Sequence, residues 1–132
     1  MSISLRASIL PIRERARSFK SDMQKLSERR CLPCEGLGKP LSAQTISELL
    51  ATVPGWSLSE DGGWIFRSFD FRDYPSVMTF VNAVARMAQQ ENHHPDMDVR
   101  YDYCVLRYST HAVHGLTDND FICAAKANAL FE

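Results

Sequence analysis

The chain has 132 residues, 45% of them apolar, which predicts one domain with a real hydrophobic core. The net charge is −1, but residues 1–30 carry eight basic and three acidic side chains, so the remainder is acidic. An acidic domain matches nucleic-acid phosphates poorly, and no apolar run reaches the roughly 20 residues of a membrane helix. Neither nucleic acid nor a membrane is therefore an expected partner.

Residues 1–30 form a leader rich in Ser and Arg. Short, Arg-rich amphipathic leaders are typical of organellar transit peptides, which predicts a mitochondrial or other organellar protein. The alternative is a cytoplasmic protein. Residues 1–30 would then be a solvated helical extension, or a helix that binds a membrane surface or a partner. We divide the chain into this leader and a domain over residues 31–132. The apolar residues of the leader share one helical stripe: Leu5, Ile9, Ile12, Ala16, Phe19, Met23 and Leu26.

Four cysteines are spread over the chain, and two of them form a lone C-x-x-C motif in "CLPCEG", at Cys31 and Cys34. No second close pair completes a zinc site, and the motif does not open a helix after a strand as a thioredoxin-type motif does. We expect an irregular N-terminal arm here and no disulfide framework. Cys104 and Cys123 lie outside any recognisable nucleophile motif.

The first half of the domain shows a helical pattern followed by a hairpin pattern. Apolar spacing predicts a helix over about 43–53, with Ser42 as its N-cap and Pro54-Gly55 as its end. The "DGG" at 61–63 separates two strand-like runs and predicts a turn between them. Three residues of the second run share a parity and should face the core: Ile65, Phe69 and Phe71.

The longest helix is predicted over about 74–90, opened by Asp73 and Pro75. It must stop before Pro95, because the residue before a proline is pushed out of the α region. His93 and His94 therefore fall in the turn that leaves this helix.

Two further strands and a helix complete the domain. The alternation of Met97, Val99 and Tyr101 with polar residues predicts a half-buried strand, and a turn near Asp102 leads into "YCVLRYST". The "TDND" motif at 117–120 fits a capping box that starts a helix to the C-terminus. This order predicts an α+β fold, a four-stranded antiparallel sheet with its helices packed on one face.

All four histidines fall between His93 and His114. Adjacent histidines diverge by about 100° on a helix and point oppositely on a strand, so a shared metal ion is awkward. Histidines that only cap or hydrogen-bond loops are the plainer alternative. Four in so short a window, at element ends that face one way, favour acid–base chemistry, since histidine titrates near neutrality.

Several motifs resemble pterin-4a-carbinolamine dehydratase. They are "HHP" at 93–95, Tyr101, "STH" at 109–111, "GLT" at 115–117 and Asp120. The "CLPCEG" arm and the "PGW" at 54–56 look like the plant-type and microbial branch. The resemblance covers about residues 31–132, which is essentially the whole domain.

The resemblance implies a hydro-lyase that removes water from 4a-hydroxytetrahydropterin and so recycles the cofactor of aromatic amino acid hydroxylases. It implies no metal and no cofactor. On the family's pattern His93 and His111 transfer protons, and His94 mainly holds the pterin, while the choice of acid and base stays open. Residues implied to bind substrate are His94, Pro95, Thr110 and Asp120.

The resemblance also implies a homodimer or homotetramer. Animal members bind a homeodomain transcription factor, which leaves a non-enzymatic dimerisation or coactivator module as the alternative function. Two positions depart from the family. Gln89 stands where many members have an acid, with Glu91 two residues away, and His114 is an additional histidine that we expect in an exposed loop.

Overall fold

Four helices and one antiparallel sheet make up the fold in the computed structural model, which describes residues 21–33 and 38–132. Helix α1 covers residues 21–28, followed by α2 (Ala43–Leu50), α3 (Tyr74–Glu91) and α4 (Asp118–Phe131). The strands are β1 (Ser57–Leu58), β2 (Ile65–Asp70), β3 (Asp96–Val99) and β4 (Tyr103–Tyr108), in the order β1-β2-β4-β3. The predicted α+β class with a four-stranded antiparallel sheet is confirmed. Within these ranges no helix combines the length and apolar character needed to cross a membrane.

Local capping signals set the ends of the helices that carry the site. At the start of α3 the Asp73 carboxylate accepts a hydrogen bond from the Ser76 backbone N–H, at 2.9 Å. The same helix ends at Asn92, whose φ of 52° lies in the left-handed region that asparagine tolerates. At the start of α4 the Thr117 backbone N–H donates to the Asp120 carboxylate at 3.0 Å, as the predicted capping box requires.

The sheet has a buried face and an exposed face. In β2, Ile65 and Phe69 are fully buried, whereas Phe66 and Ser68, which lie between them in the strand, are exposed. This alternation confirms the predicted inward parity. Phe71 lies just beyond the end of β2 and packs half-buried against the same core.

Two predicted boundaries are wrong. Helix α2 ends at Leu50, because residues 51–53 continue as turns. Tyr101, predicted to face the core in strand β3, is 72% exposed. β3 pairs with β4 only as far as Val99, and the Arg100 N–H then bonds the Tyr103 carbonyl at 2.9 Å, so the chain has already begun to reverse. The alternation of a strand therefore no longer applies at Tyr101.

Helix α1 packs into the hydrophobic core, although it belongs to the predicted leader. Met23 and Leu26 are buried among the core residues, and the Lys126 ammonium of α4 donates to the Ser27 carbonyl at 2.7 Å. The division of the chain at residues 30 and 31 stays a prediction, and α1 packs with the core although it lies before that division. The predictions for residues 1–20 and for Cys34 lie outside the described residues and stay predictions.

The segment after α1 is anchored by polar contacts. The Arg30 guanidinium lies 2.9 Å from a Glu91 carboxylate oxygen, and the Cys31 backbone N–H donates to the other oxygen at 2.8 Å. The Leu32 backbone exchanges two hydrogen bonds with the Asn119 side chain, at 2.9 and 2.8 Å. Glu91 is therefore committed to this arm, which we define as residues 29–33, and not to the histidines.

Replacing Met23 and Leu26 together with alanine should lower the melting temperature substantially. Each truncation of a buried Met or Leu removes packed atoms and costs about 2–5 kcal/mol of unfolding free energy. Thermal unfolding followed by circular dichroism measures the effect. Lys25→Ala, an exposed position on the same helix, should change stability by less than about 0.5 kcal/mol. A double variant as stable as the original protein would show that α1 contributes nothing to the fold.

Candidate active site

A cleft of about 200 Å³ opens between the end of α3 and the segment that follows β4. All three histidines implied to be catalytic lie on its wall, while His114 does not. The fold therefore brings together two parts of the chain that the sequence keeps apart. The residues around the cleft are Asn92, His93, His94, Ser109, His111 and Ala112.

His93 is the best fixed of the three histidines. It follows the left-handed residue Asn92, and its backbone N–H donates to the Ala88 carbonyl at 3.1 Å. Its ring stacks on Tyr108, with centroids 5.7 Å apart and planes 8° from parallel. Only 6% of His93 is exposed, so one edge of a held ring faces the cleft.

A buried carboxylate lies behind His93. The His93 Nε2 and Asp120 Oδ1 atoms are 2.6 Å apart, and Asp120 is 0% exposed. Its other oxygen accepts from the Thr110 hydroxyl at 2.8 Å and from the Thr117 backbone N–H at 3.0 Å. The Thr110 and Thr117 hydroxyls are themselves 2.8 Å apart. The carboxylate is thus fully hydrogen-bonded, as a buried acid requires.

This network gives the two nitrogens of His93 different tasks. A carboxylate that already receives hydrogens from Thr110 and Thr117 is best matched in its ionised, acceptor-only form. The hydrogen between His93 and Asp120 then resides on Nε2, which leaves Nδ1 as the nitrogen that can exchange a proton with a ligand. Among the described residues Nδ1 has no hydrogen-bond partner. A carboxylate that orients an imidazole, whose second nitrogen is free, is the arrangement of a general acid–base residue.

Three residues implied to bind substrate do not lie on the wall of this cleft. Thr110 and Asp120 are 1% and 0% exposed, and their side chains are used within the network behind His93. Pro95 is half-buried and restricts the backbone of His94. Whether these three residues contact the substrate stays a prediction.

His94 is exposed and is held by a neutral neighbour. Its Nε2 lies 3.1 Å from the Gln89 amide oxygen, one turn back on α3. Gln89 occupies the position where many members of the family have an acid, so the ring receives a hydrogen-bond acceptor without a full charge. This contact leaves the other edge of His94 free to face a ligand.

His111 is supported by an aromatic side chain rather than by the sheet. It begins a short 3-10 helix, His111–Val113, three residues beyond the end of β4, and it is exposed. Its ring packs edge-on against Trp64, with centroids 5.4 Å apart and planes at 72°. Trp64 was missed by the sequence analysis. The one feature of the sequence that points to Trp64 is its position directly after the "DGG" turn. No neighbouring residue in the sequence indicates its contact with His111.

The segment that carries His111 is closed into a narrow loop. Thr110 pairs with Gly115 through backbone hydrogen bonds of 2.9 and 3.4 Å. A Cβ atom at Gly115 would lie 2.8 Å from Pro40, so the packing requires glycine there. Ser109 was noted in the sequence only as part of the "STH" motif, and its hydroxyl donates to the Gly63 carbonyl at 2.7 Å. This bond fixes the loop to the β1–β2 turn near Trp64.

In residues 21–33 and 38–132 no three histidine, cysteine or acidic side chains are grouped so that they could hold a metal ion. The side chains that line the cleft offer proton donors and acceptors. Their arrangement suits the movement of protons to and from a small polar molecule.

Comparisons with known proteins agree with the resemblance seen in the sequence. The family model for pterin 4 alpha carbinolamine dehydratase matches residues 39–130. A protein of Stenotrophomonas maltophilia strain K279a is 50% identical over 112 residues, which cover 85% of this chain and 97% of the relative. A protein of Xanthomonas campestris pv. campestris strain B100 is 51% identical, with 85% and 95% covered. Both are named provisionally as pterin-4-alpha-carbinolamine dehydratases.

Solved structures show the same fold. A Brucella melitensis protein described as a transcriptional coactivator/pterin dehydratase has a TM-score of 0.69 and 29% identity, over 71% of this chain and 100% of that one. A pterin dehydratase-like RuBisCO assembly factor of the alpha-carboxysome has a TM-score of 0.52 at 21% identity, over 58% and 88%, and shows the fold alone. Because the family model covers most of the chain and relatives are half identical over nearly their full length, the chain belongs to the pterin 4 alpha carbinolamine dehydratase family.

Proposed function

We propose that the protein dehydrates 4a-hydroxytetrahydropterin to quinonoid dihydropterin and water by histidine acid–base catalysis. The observation that carries this proposal is the convergence of three histidines on one cleft, with His93 backed by the buried Asp120. Family membership supports a pterin as the substrate. The product fits a role in recycling the cofactor of aromatic amino acid hydroxylases.

The reaction needs one proton donor and one proton acceptor. The C4a–O bond breaks, and because hydroxide is a poor leaving group, its oxygen must be protonated as it departs. The N5–H bond also breaks, and its electron pair forms the C4a–N5 double bond. A well-placed acid and a well-placed base contribute roughly 10²- to 10⁴-fold each.

We assign the base to His93. Its unprotonated Nδ1 accepts the N5 proton, and the imidazolium that forms lies 2.6 Å from the Asp120 carboxylate, which stabilises the positive charge. Its burial excludes water from that pair. The remaining proton transfer, to the departing oxygen, then falls to His111, which also lines the cleft. His94 positions the pterin through a hydrogen bond from its free edge.

Turnover of 4a-hydroxytetrahydrobiopterin is the direct test. The full-length protein should accelerate loss of the carbinolamine over the buffer reaction, as followed by ultraviolet absorbance, and addition of a chelator should leave the rate unchanged. A folded protein without any acceleration would refute the proposal. Activity that disappears with chelator and returns with zinc would refute its histidine mechanism.

A non-enzymatic binding module of the same fold is the second candidate. It is favoured by the description of the Brucella melitensis structure, which names a transcriptional coactivator beside the dehydratase. The same turnover assay separates the two, since a pure binding module leaves the carbinolamine lifetime unchanged.

The oligomeric state and the subcellular location are further parts of the proposal. A homodimer or homotetramer is expected, which light scattering on the purified protein would test. A transit peptide that ended at residue 30 would take Met23 and Leu26 out of the core. Any removable organellar leader therefore lies within residues 1–20. If those residues are a transit peptide, a fluorescent protein fused to them should be found in the organelle.

A further inference from the structure

Two thiols outside the cleft face each other. The Sγ atoms of Cys31 and Cys123 lie 3.5 Å apart, although the residues are 92 positions apart in the chain. Cys31 belongs to the arm, whereas Cys123 is in the second turn of α4. Neither thiol has a part in the proposed dehydration.

The backbone around this thiol pair is held on both sides. The Cys31 N–H is bonded to Glu91 at 2.8 Å, and the next residue, Leu32, is paired to the Asn119 side chain. The Cys31 thiol also lies 3.8 Å from the Asn119 carbonyl. A disulfide bond requires the two sulfurs to approach to about 2.0 Å, and these two already lie 3.5 Å apart. The arm is thus fixed where a covalent link to α4 would form.

The two thiols differ in access. Cys31 is half-buried and reachable from solvent, whereas Cys123 is 0% exposed. The hydrogen bond with Cys31, together with burial, raises the pKa of the Cys123 thiol far above its usual value. Cys104 is also 0% exposed, and burial raises its pKa to about 11. Cys31 is therefore the one described thiol that a small oxidant can meet first.

We propose that Cys31 and Cys123 form a reversible disulfide when the protein is exposed to peroxide. This disulfide links the arm covalently to helix α4. In the first step the Cys31 thiol attacks hydrogen peroxide and becomes a sulfenic acid, with release of one water. In the second step the Cys123 sulfur displaces that hydroxyl group, which leaves as a second water with the Cys123 proton. Peroxide takes up the two electrons that the thiols lose, and a dithiol or thiol reductant reverses the change.

The link would act on the helix that supports the site. Asn119, which pairs with Leu32, is directly followed by Asp120, which holds His93. A disulfide between residues 31 and 123 also closes a long loop in the unfolded chain and so stabilises the folded state. We expect the oxidised protein to melt at least about 5 °C higher than the reduced protein.

Peptide mapping of the full-length protein after mild peroxide treatment tests the proposal. Trypsin cuts after Arg30, Arg67, Arg107 and Lys126 but not between Lys39 and Pro40, so Cys31 lies in peptide 31–67 and Cys123 in peptide 108–126. The expected result is one cross-linked species of these two peptides, lost on reduction. A parallel Cys34→Ser variant should give the same species, and Cys104→Ala should keep it. Cys31→Ser should abolish both the cross-link and the rise in melting temperature.

Three results would overturn the proposal. They are a Cys31–Cys34 bridge within peptide 31–67, a disulfide between two molecules on non-reducing electrophoresis, and stepwise over-oxidation of Cys31 without any cross-link. Each can be read whether or not the protein turns over a pterin, so the disulfide and the proposed catalytic function fail independently.

Discussion

Replacing Asp120 with asparagine should lower kcat by about 100-fold or more and change KM by less than about threefold. In the proposed mechanism the carboxylate orients His93 and stabilises its positive charge, so its loss should remove most of one acid–base contribution. Asp120 is not on the wall of the cleft, so substrate binding should be little affected. Steady-state turnover of 4a-hydroxytetrahydrobiopterin gives both constants.

A neighbouring acid provides the matched control. Asp118 lies in the same helical turn, but it is on the surface, where it pairs with Arg29 at 3.3 Å. Asp118→Asn should leave kcat within about twofold, because an exposed ion pair contributes little. Melting curves must show both variants folded. If Asp120→Asn instead raised KM alone, the carboxylate would contact substrate directly, as the family pattern first implied, and the indirect role would be wrong.

Elements whose signals are local could be predicted from the sequence. Three such signals depend only on residues that are close in the sequence, because their hydrogen bonds join near neighbours. They are the Asp73 cap, the "DGG" turn and the Thr117–Asp120 capping box. The parity of Ile65 and Phe69 follows from the geometry of a strand alone. These features were sufficient for the fold class and for the position of the His93–His94 pair at the end of α3.

Contacts between distant segments could not be predicted in the same way. The bond between His93 and Asp120 joins residues that are 27 positions apart, and the packing of His111 on Trp64 depends on how the hairpin meets the loop after β4. Asp120 was named from the sequence, but its role could be assigned only from its burial. The pattern of residues along the sequence does not show whether a carboxylate lies in the cleft or behind the histidine ring.

The exposure of Tyr101 and the burial of α1 have one cause. Alternation in "MDVRY" continues past the point where β3 stops pairing, because alternation describes side chains and not hydrogen bonds. The apolar stripe of the leader was identified, but the core that buries Met23 and Leu26 is assembled only in the folded chain. In both cases tertiary contacts decided the outcome.

The last prediction separates the two later histidines. His111 lines the cleft with its ring against Trp64, whereas His114 is exposed and outside the cleft wall. A proton donor must stay within about 2.6–3.2 Å of the atom that it serves. His111→Asn should therefore lower turnover about tenfold or more, which is at least about 1.4 kcal/mol of barrier. His114→Asn should change turnover by less than about threefold.

Asparagine is chosen at both positions for a reason of backbone geometry. His114 has a φ of 54°, in the left-handed region, where alanine would add strain and asparagine is tolerated. The same substitution at His111 removes proton transfer but keeps a polar side chain of similar size. Circular dichroism and melting curves must first show that both variants are folded. If His114→Asn were the inactive variant and His111→Asn turned over normally, the proton donor would lie in the αL residue of the loop, and the assignment of roles around the cleft would be wrong.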